Sequence, residues 1–158
     1  MEYDEVLAPN MIHLDSWQDI LTNLVKVLIA YVLTMAVGWD REVEAHTAGV
    51  RTFPIVGMAS CGYLLIFGGS TSADESRVLQ GLITGIGFVG GGAILKERKT
   101  VHGTATAASV WNAGAIGAAV ALQHYGIAVT LAVLNLITLR LLLPVKKRLD
   151  NRRSGVEG

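Results

Sequence analysis

Charge is scarce in this chain, and its scarcity excludes a great deal. Lys, Arg, Asp and Glu together make up 16% of the 158 residues, against roughly 25% in soluble domains. Neither sign is in excess, since 13 basic residues face 13 acidic ones, so there is no electrostatic footprint for a nucleic-acid partner. Cysteine is nearly absent. Cys61 stands alone inside an apolar run, which excludes an intramolecular disulfide and leaves the redox compartment unmarked; it reads as a small buried hydrophobe. The first nineteen residues carry Glu2, Asp4, Glu5, Asp15 and Asp19 but no Lys or Arg, so the basic segment that opens a secretory signal is missing. Catalytic groupings are missing too. His13, His46, His102 and His124 are scattered over tails and loops, with no Cys/His pair at metal-ligand spacing and no nucleophile elbow. The expectation is a protein that is not an enzyme, with no cofactor and no protein-held metal site.

What the chain does have is long apolar runs. Hydrophobic residues reach 51% and the mean hydropathy is +0.46. A hydrocarbon core ~30 Å thick needs about 20 apolar residues in a helix, with a range of ~17–25. Five segments meet this: Ile20–Gly38, Phe53–Gly69, Val78–Leu95, Thr104–Leu122 and His124–Leu143. The fold expected is all-α, an integral membrane bundle of five transmembrane helices. The lipid bilayer is then its first partner. Residues 1–19 form an acidic tail, 20–143 the transmembrane domain and 144–158 a basic tail. The fourth segment is the weakest by hydropathy, being built from Ala, Gly and Thr. Ser72 and Glu75 suit a capping box before the third helix, and Thr52 a cap for the second, with Pro54 tolerated in its first turn.

Orientation follows from the basic residues. Arg41 and Arg51 lie between the first two segments, Lys96, Arg98 and Lys99 between the third and fourth, and Lys146, Lys147, Arg148, Arg152 and Arg153 in the tail. The other side carries Arg77 alone. By the positive-inside rule the basic side is cytoplasmic, which puts the amino terminus outside and the carboxyl terminus inside.

Gly85-x-Gly87-x-x-Gly90 spells a dinucleotide fingerprint, but it lies within a continuous apolar run with no strand before it and no acidic residue ~20 positions on. Helix packing is the better reading. Gly81 with Gly85, and Gly87 with Gly91, are small residues four apart that let helix backbones approach in lipid; Ala113, Gly117 and Ala121 do the same on the fourth segment. Polar residues inside the spans are Lys26, Thr84, Thr106, Ser109, Asn112 and Asn135. Lys26 lies near enough to one boundary to snorkel outward. Asn112, beside Trp111 near the middle of its segment, needs another helix, a water or a substrate to bond. Trp39 and Arg140 read as interface anchors. A charged cluster, Asp40, Arg41, Glu42, Arg51 and Thr52, gathers at one membrane boundary, where Asp40 is expected to pair with Arg51 or Arg41. No span carries a mid-membrane carboxylate, which argues against passage of a bare Mg²⁺, a hard ion that prefers oxygen ligands.

Three blocks resemble the MgtC/SapB family. Gly38-Trp-Asp40-Arg41-Glu42 followed by Ala48-Gly-Val-Arg51-Thr52 is similar to its G-x-(D/E)-R-E…AG-(L/V)-R-T pattern. Gly85-Ile-Gly-Phe-Val-Gly90-Gly-Gly92-Ala-Ile-Leu is close to GIGFLGAGVIL, and Gly103-Thr-Ala-Thr106-Ala-Ala-Ser109-Val-Trp111 to GLTTAAS-x-W. Thr104 replaces the usual Leu and Gly91 the usual Ala. Larger members carry a cytoplasmic regulatory domain after the fifth helix; this chain ends soon after Arg153, so functions needing that domain are not expected of it. The resemblance implies a multi-pass protein of the bacterial inner membrane, linked to adaptation to low magnesium. It leaves two modes open. One is a membrane-embedded regulator or interaction protein, some members restraining the F-type ATP synthase. The other is a small homo-oligomeric transporter or channel, with Mg²⁺ or another solute as ligand or cargo.

Overall fold

The computed structural model describes residues 16–43, 48–67, 72–97 and 100–154. It is all-helical apart from one small hairpin: α1 (Trp17–Val43), α2 (Thr52–Phe67), α3 (Ser72–Gly92), β1 (Leu95–Glu97), β2 (Thr100–His102), α4 (Thr104–Ala121) and α5 (Tyr125–Ser154). The five expected helices are present, with shifted bounds. α1 starts with a reciprocal cap, in which the Asp19 N–H donates to Ser16 Oγ at 3.2 Å and the Ser16 N–H to Asp19 Oδ2 at 3.3 Å, satisfying two donors of the first turn. The cap expected at Ser72 involves a side chain outside the described ones.

Three boundaries are corrected. α1 runs on to Val43, so Asp40, Arg41 and Glu42 form its last turn rather than a loop after it. α3 begins at Ser72 and stops at Gly92, and the basic connection after it pairs as an antiparallel ladder with Leu95 opposite His102 and Lys96 opposite Val101; Arg98 and Lys99 lie outside the described residues. α5 continues through Pro144 to Ser154, past the expected end of the fifth segment at Leu143.

α4 is the centre of the bundle and touches every other helix. Twelve of its 18 residues are buried, which its small side chains permit because neighbouring backbones can close on it. The tightest crossing is with α2. A Cβ at Gly117 would lie 2.2 Å from the Gly57 carbonyl oxygen, and one at Gly57 would lie 2.7 Å from both terminal atoms of Thr34 on α1. Gly114 is closed in the same way by Ile86 of α3. Ala113, Gly117 and Ala121 thus do pack as their spacing predicts.

The glycines of α3 behave differently from expectation. A side chain at Gly81, Gly85, Gly87 or Gly91 would meet no heavy atom within 4 Å; only Gly90 is in close contact, 3.0 Å from the Ala107 carbonyl oxygen. The reason is position. α3 lies at the edge against α4 and α2 and uses its Ile86–Gly90 side for the contact with α4, which leaves Gly81 and Gly85 lining an open cleft toward α2 and Gly87 and Gly91 in open space.

Large apolar side chains cover the outside, among them Phe88 at 87% exposure and Trp17 at 79%, a surface suited to hydrocarbon and costly in water. α1 and the stretch Tyr125–Pro144 are long and apolar enough to cross a membrane; α2 is apolar but has only 16 residues.

Candidate functional site

The end of α1 is built around two absent side chains. A Cβ at Gly38 would stand 3.1 Å from both the Gly49 carbonyl oxygen and Phe53 Cβ, so α1 lies directly on the segment that starts α2. A Cβ at Gly49 would overlap the Glu42 carboxylate. That carboxylate accepts a hydrogen bond from the Val50 N–H at 3.2 Å, at the amino end of α2, where unpaired N–H groups and the helix dipole favour negative charge. Glu42 therefore ties the two helices together. Thr52 is half-buried at the first position of α2, and Arg51 is exposed.

Asp40 and Arg41 point the other way, into the bundle. Asp40 is 7% exposed and Arg41 3%. Arg41 donates through a terminal nitrogen to Asp40 Oδ2 at 2.9 Å, and Arg140 of α5 donates through Nε to Asp40 Oδ1 at 2.7 Å. Arg140 lies 100 positions along the chain, and its side chain is 73% exposed. So one carboxylate holds two guanidiniums, one buried and one on the rim, and clamps α1 to α5. The pairing of Asp40 with Arg41 is as expected, whereas Arg51 takes no part and Arg140 replaces it. Arg140 reads in the sequence only as an interface anchor; its signal is that it is the single cation inside an otherwise apolar fifth segment.

A polar seam continues from this clamp between α4 and α5. Ser109 Oγ donates to Asn135 Oδ1 at 3.0 Å, and Asn112 Nδ2 donates to the Leu131 carbonyl at 3.3 Å. The partner of Asn112 is thus another helix. Thr106 is 1% exposed and, among the described residues, neither its Oγ1 nor Asn135 Nδ2 has a hydrogen-bond partner. Buried polar atoms of this kind usually bond, so the seam has unused capacity for a small polar guest such as water. Trp111 is half exposed. Thr84 is also exposed and bonds back to the Gln80 carbonyl at 2.9 Å, so it takes no part in the seam. Lys26 is half-buried at the opposite end of the bundle, in a separate cavity.

Among the described residues, the carboxylates near the clamp already have partners. Both oxygens of Asp40 are engaged by arginine, and Glu42 is engaged by backbone.

The model of the MgtC family matches residues 27–148. The chain belongs to the MgtC family. Among its relatives, a protein of Escherichia coli (strain K12) named "Putative magnesium transporter YhiD" is 28% identical over 138 residues, covering 82% of this chain and 64% of that protein. "Protein MgtC" of Brucella abortus (strain 2308) is 32% identical over 103 residues, 64% of this chain and 43% of its own. The chain thus spans less than two thirds of the length of either relative. No solved structure matches. The family-like blocks fall on the junctions just described. The first forms the α1–α2 corner and the clamp. The third opens α4 at Gly103, whose φ of +85° and a Cβ position 2.0 Å from the Ala93 carbonyl oxygen admit glycine alone.

Proposed function

We propose that this MgtC-family chain is a membrane-embedded regulator or interaction protein that serves adaptation to low magnesium, without catalysis of its own. One observation carries the preference over transport: both Asp40 oxygens are held by guanidiniums. A site for passing Mg²⁺ needs free oxygen ligands, commonly one or two carboxylates, and here the negative charge of the buried carboxylate is offset by two guanidiniums as it joins two helices. In this reading five spans cross the bacterial inner membrane with the amino terminus outside. The clamp then lies at the cytoplasmic boundary, where exposed Arg140 and Arg51 present positive charge to a partner. The F-type ATP synthase is the first partner to test. Transport of Mg²⁺, by a homo-oligomer, is the second reading, favoured by the printed name of the Escherichia coli relative.

The test is growth under magnesium limitation in a strain deprived of this protein. Arg140→Gln removes the rim charge at an exposed position and should fail to restore growth at normal abundance. Parental growth with Arg140→Gln would take the clamp out of the function.

A further inference from the structure

At the end of the bundle away from the clamp, where α1 and α3 begin and α2 and α4 end, lies a cavity of about 1030 Å³. Its polar lining is Asp19, Thr22, Asn23 and Lys26 of α1, Glu75 of α3 and Gln123 after α4. Val27, Leu64 and Leu65 supply an apolar wall. Lys26 is the informative member. It is the one charged residue between Asp19 and Asp40 on an apolar helix, and among the described residues it makes no ion pair and no hydrogen bond. A cation in a span without a partner is expensive and points to a function.

The charges around the cavity select the ligand class. A simple anion would meet Lys26 but also two carboxylates; a bare cation would meet Lys26 as a like charge. A group carrying both signs satisfies both. Depth fixes the order of those signs. Lys26 follows Asp19 by seven residues, about 10 Å along the helix axis, while Asp19 and Glu75 both stand in first turns at the mouth. Asp19 accepts from Ser16, yet a carboxylate has about four lone-pair sites and retains room for an ammonium. Negative charge is therefore wanted deep and positive charge at the mouth. In a phosphoethanolamine headgroup the phosphate lies next to the acyl chains and the amine toward water, which is the same order, and the Val27–Leu64–Leu65 wall receives the start of a chain.

We propose that this cavity binds a zwitterionic phosphate–amine group, the headgroup of a phosphatidylethanolamine lipid, with Lys26 on the phosphate and Asp19 and Glu75 on the ammonium. The site rests on the membrane reading above and not on any role in magnesium adaptation, so its test is independent of growth.

The experiment uses the full chain, delipidated in mild detergent. Phosphatidylethanolamine, phosphatidylglycerol and water-soluble glycerophosphoethanolamine are titrated in turn, with retained ligand read by native mass spectrometry and melting temperature in parallel. Phosphatidylethanolamine should bind at least tenfold more tightly than phosphatidylglycerol. Lys26→Gln should lose that affinity tenfold or more, and Lys26→Arg should keep it. Glu75→Gln, at a half-buried position in the first turn of α3, keeps the side chain's size, should fold as the parent does and should erase the preference between the two lipids, which keeps the proposal testable if Lys26→Gln does not fold. Equal binding of the two lipids by the parent, or parental affinity in Lys26→Gln, would overturn the site. Glycerophosphoethanolamine binding as tightly as the lipid would overturn the lipid assignment in favour of a soluble zwitterion.

Discussion

Replacing Asp40 with Asn tests the clamp, because its two arms differ in solvent access. Arg41 is 3% exposed and Arg140 73%. Removing the carboxylate breaks the buried ion pair between Asp40 and Arg41, a change that costs ~3–5 kcal/mol when a pair is fully buried. The Arg140 arm is hydrated, and exposed pairs are worth only ~0.2–1 kcal/mol. Asp40→Asn should therefore destabilise by about 3 kcal/mol, at the low end of the buried range since the amide keeps one acceptor, while Arg140→Gln should cost under ~1 kcal/mol. The assay is reversible unfolding of the purified chain in detergent micelles, with the double variant added to close the cycle. In that cycle Arg140→Gln should cost nothing further once Asp40 is Asn. Equal losses from the two single variants, or an Asp40→Asn protein as stable as the parent, would refute the assignment of Arg41 as the dominant arm.

Other outcomes follow from the packing. Gly117→Leu must drive a side chain into the Gly57 carbonyl and should destabilise by more than the ~1–3 kcal/mol usual for overpacking, whereas Gly85→Leu, into open space, should melt like the parent. Gly103→Ala should destabilise by more than the ~1–3 kcal/mol of a left-handed backbone, because its Cβ would also meet the Ala93 carbonyl, read in the same unfolding assay. A reporter fused after Arg153 should read cytoplasmic and one fused before Ile12 external; both on one side would remove the five-span arrangement.

Helix number was legible in the sequence because apolar length is a direct consequence of bilayer thickness. Which helix sits at the centre was harder to read. α4 looks weakest by hydropathy, yet it is the most buried helix, since hydropathy reports the side chains that face lipid while the interior of a bundle is filled by small ones. The glycine spacing of α3 likewise matches a packing motif, although most of those glycines meet no neighbouring atom. Spacing shows that small residues share a helix face, but not what lies opposite that face. At the clamp, Asp40, Arg41 and Glu42 were visible as a local cluster. Arg140 was not, because 100 positions separate it from Asp40 and only the antiparallel return of α5 brings the two together. Glu42 was visible as a charge but not as a cap for α2, a role that depends on the close approach permitted by Gly38 and Gly49.

The most direct test of a regulator against a conduit is Mg²⁺ entry into liposomes that hold the purified full chain alone, followed with an entrapped indicator. The expected result is entry no faster than in protein-free liposomes, from a preparation that still shows the parental unfolding transition. Protein-dependent entry that saturates with Mg²⁺ and is lost in Asp40→Asn would contradict a structural role for that carboxylate and make the chain a transporter.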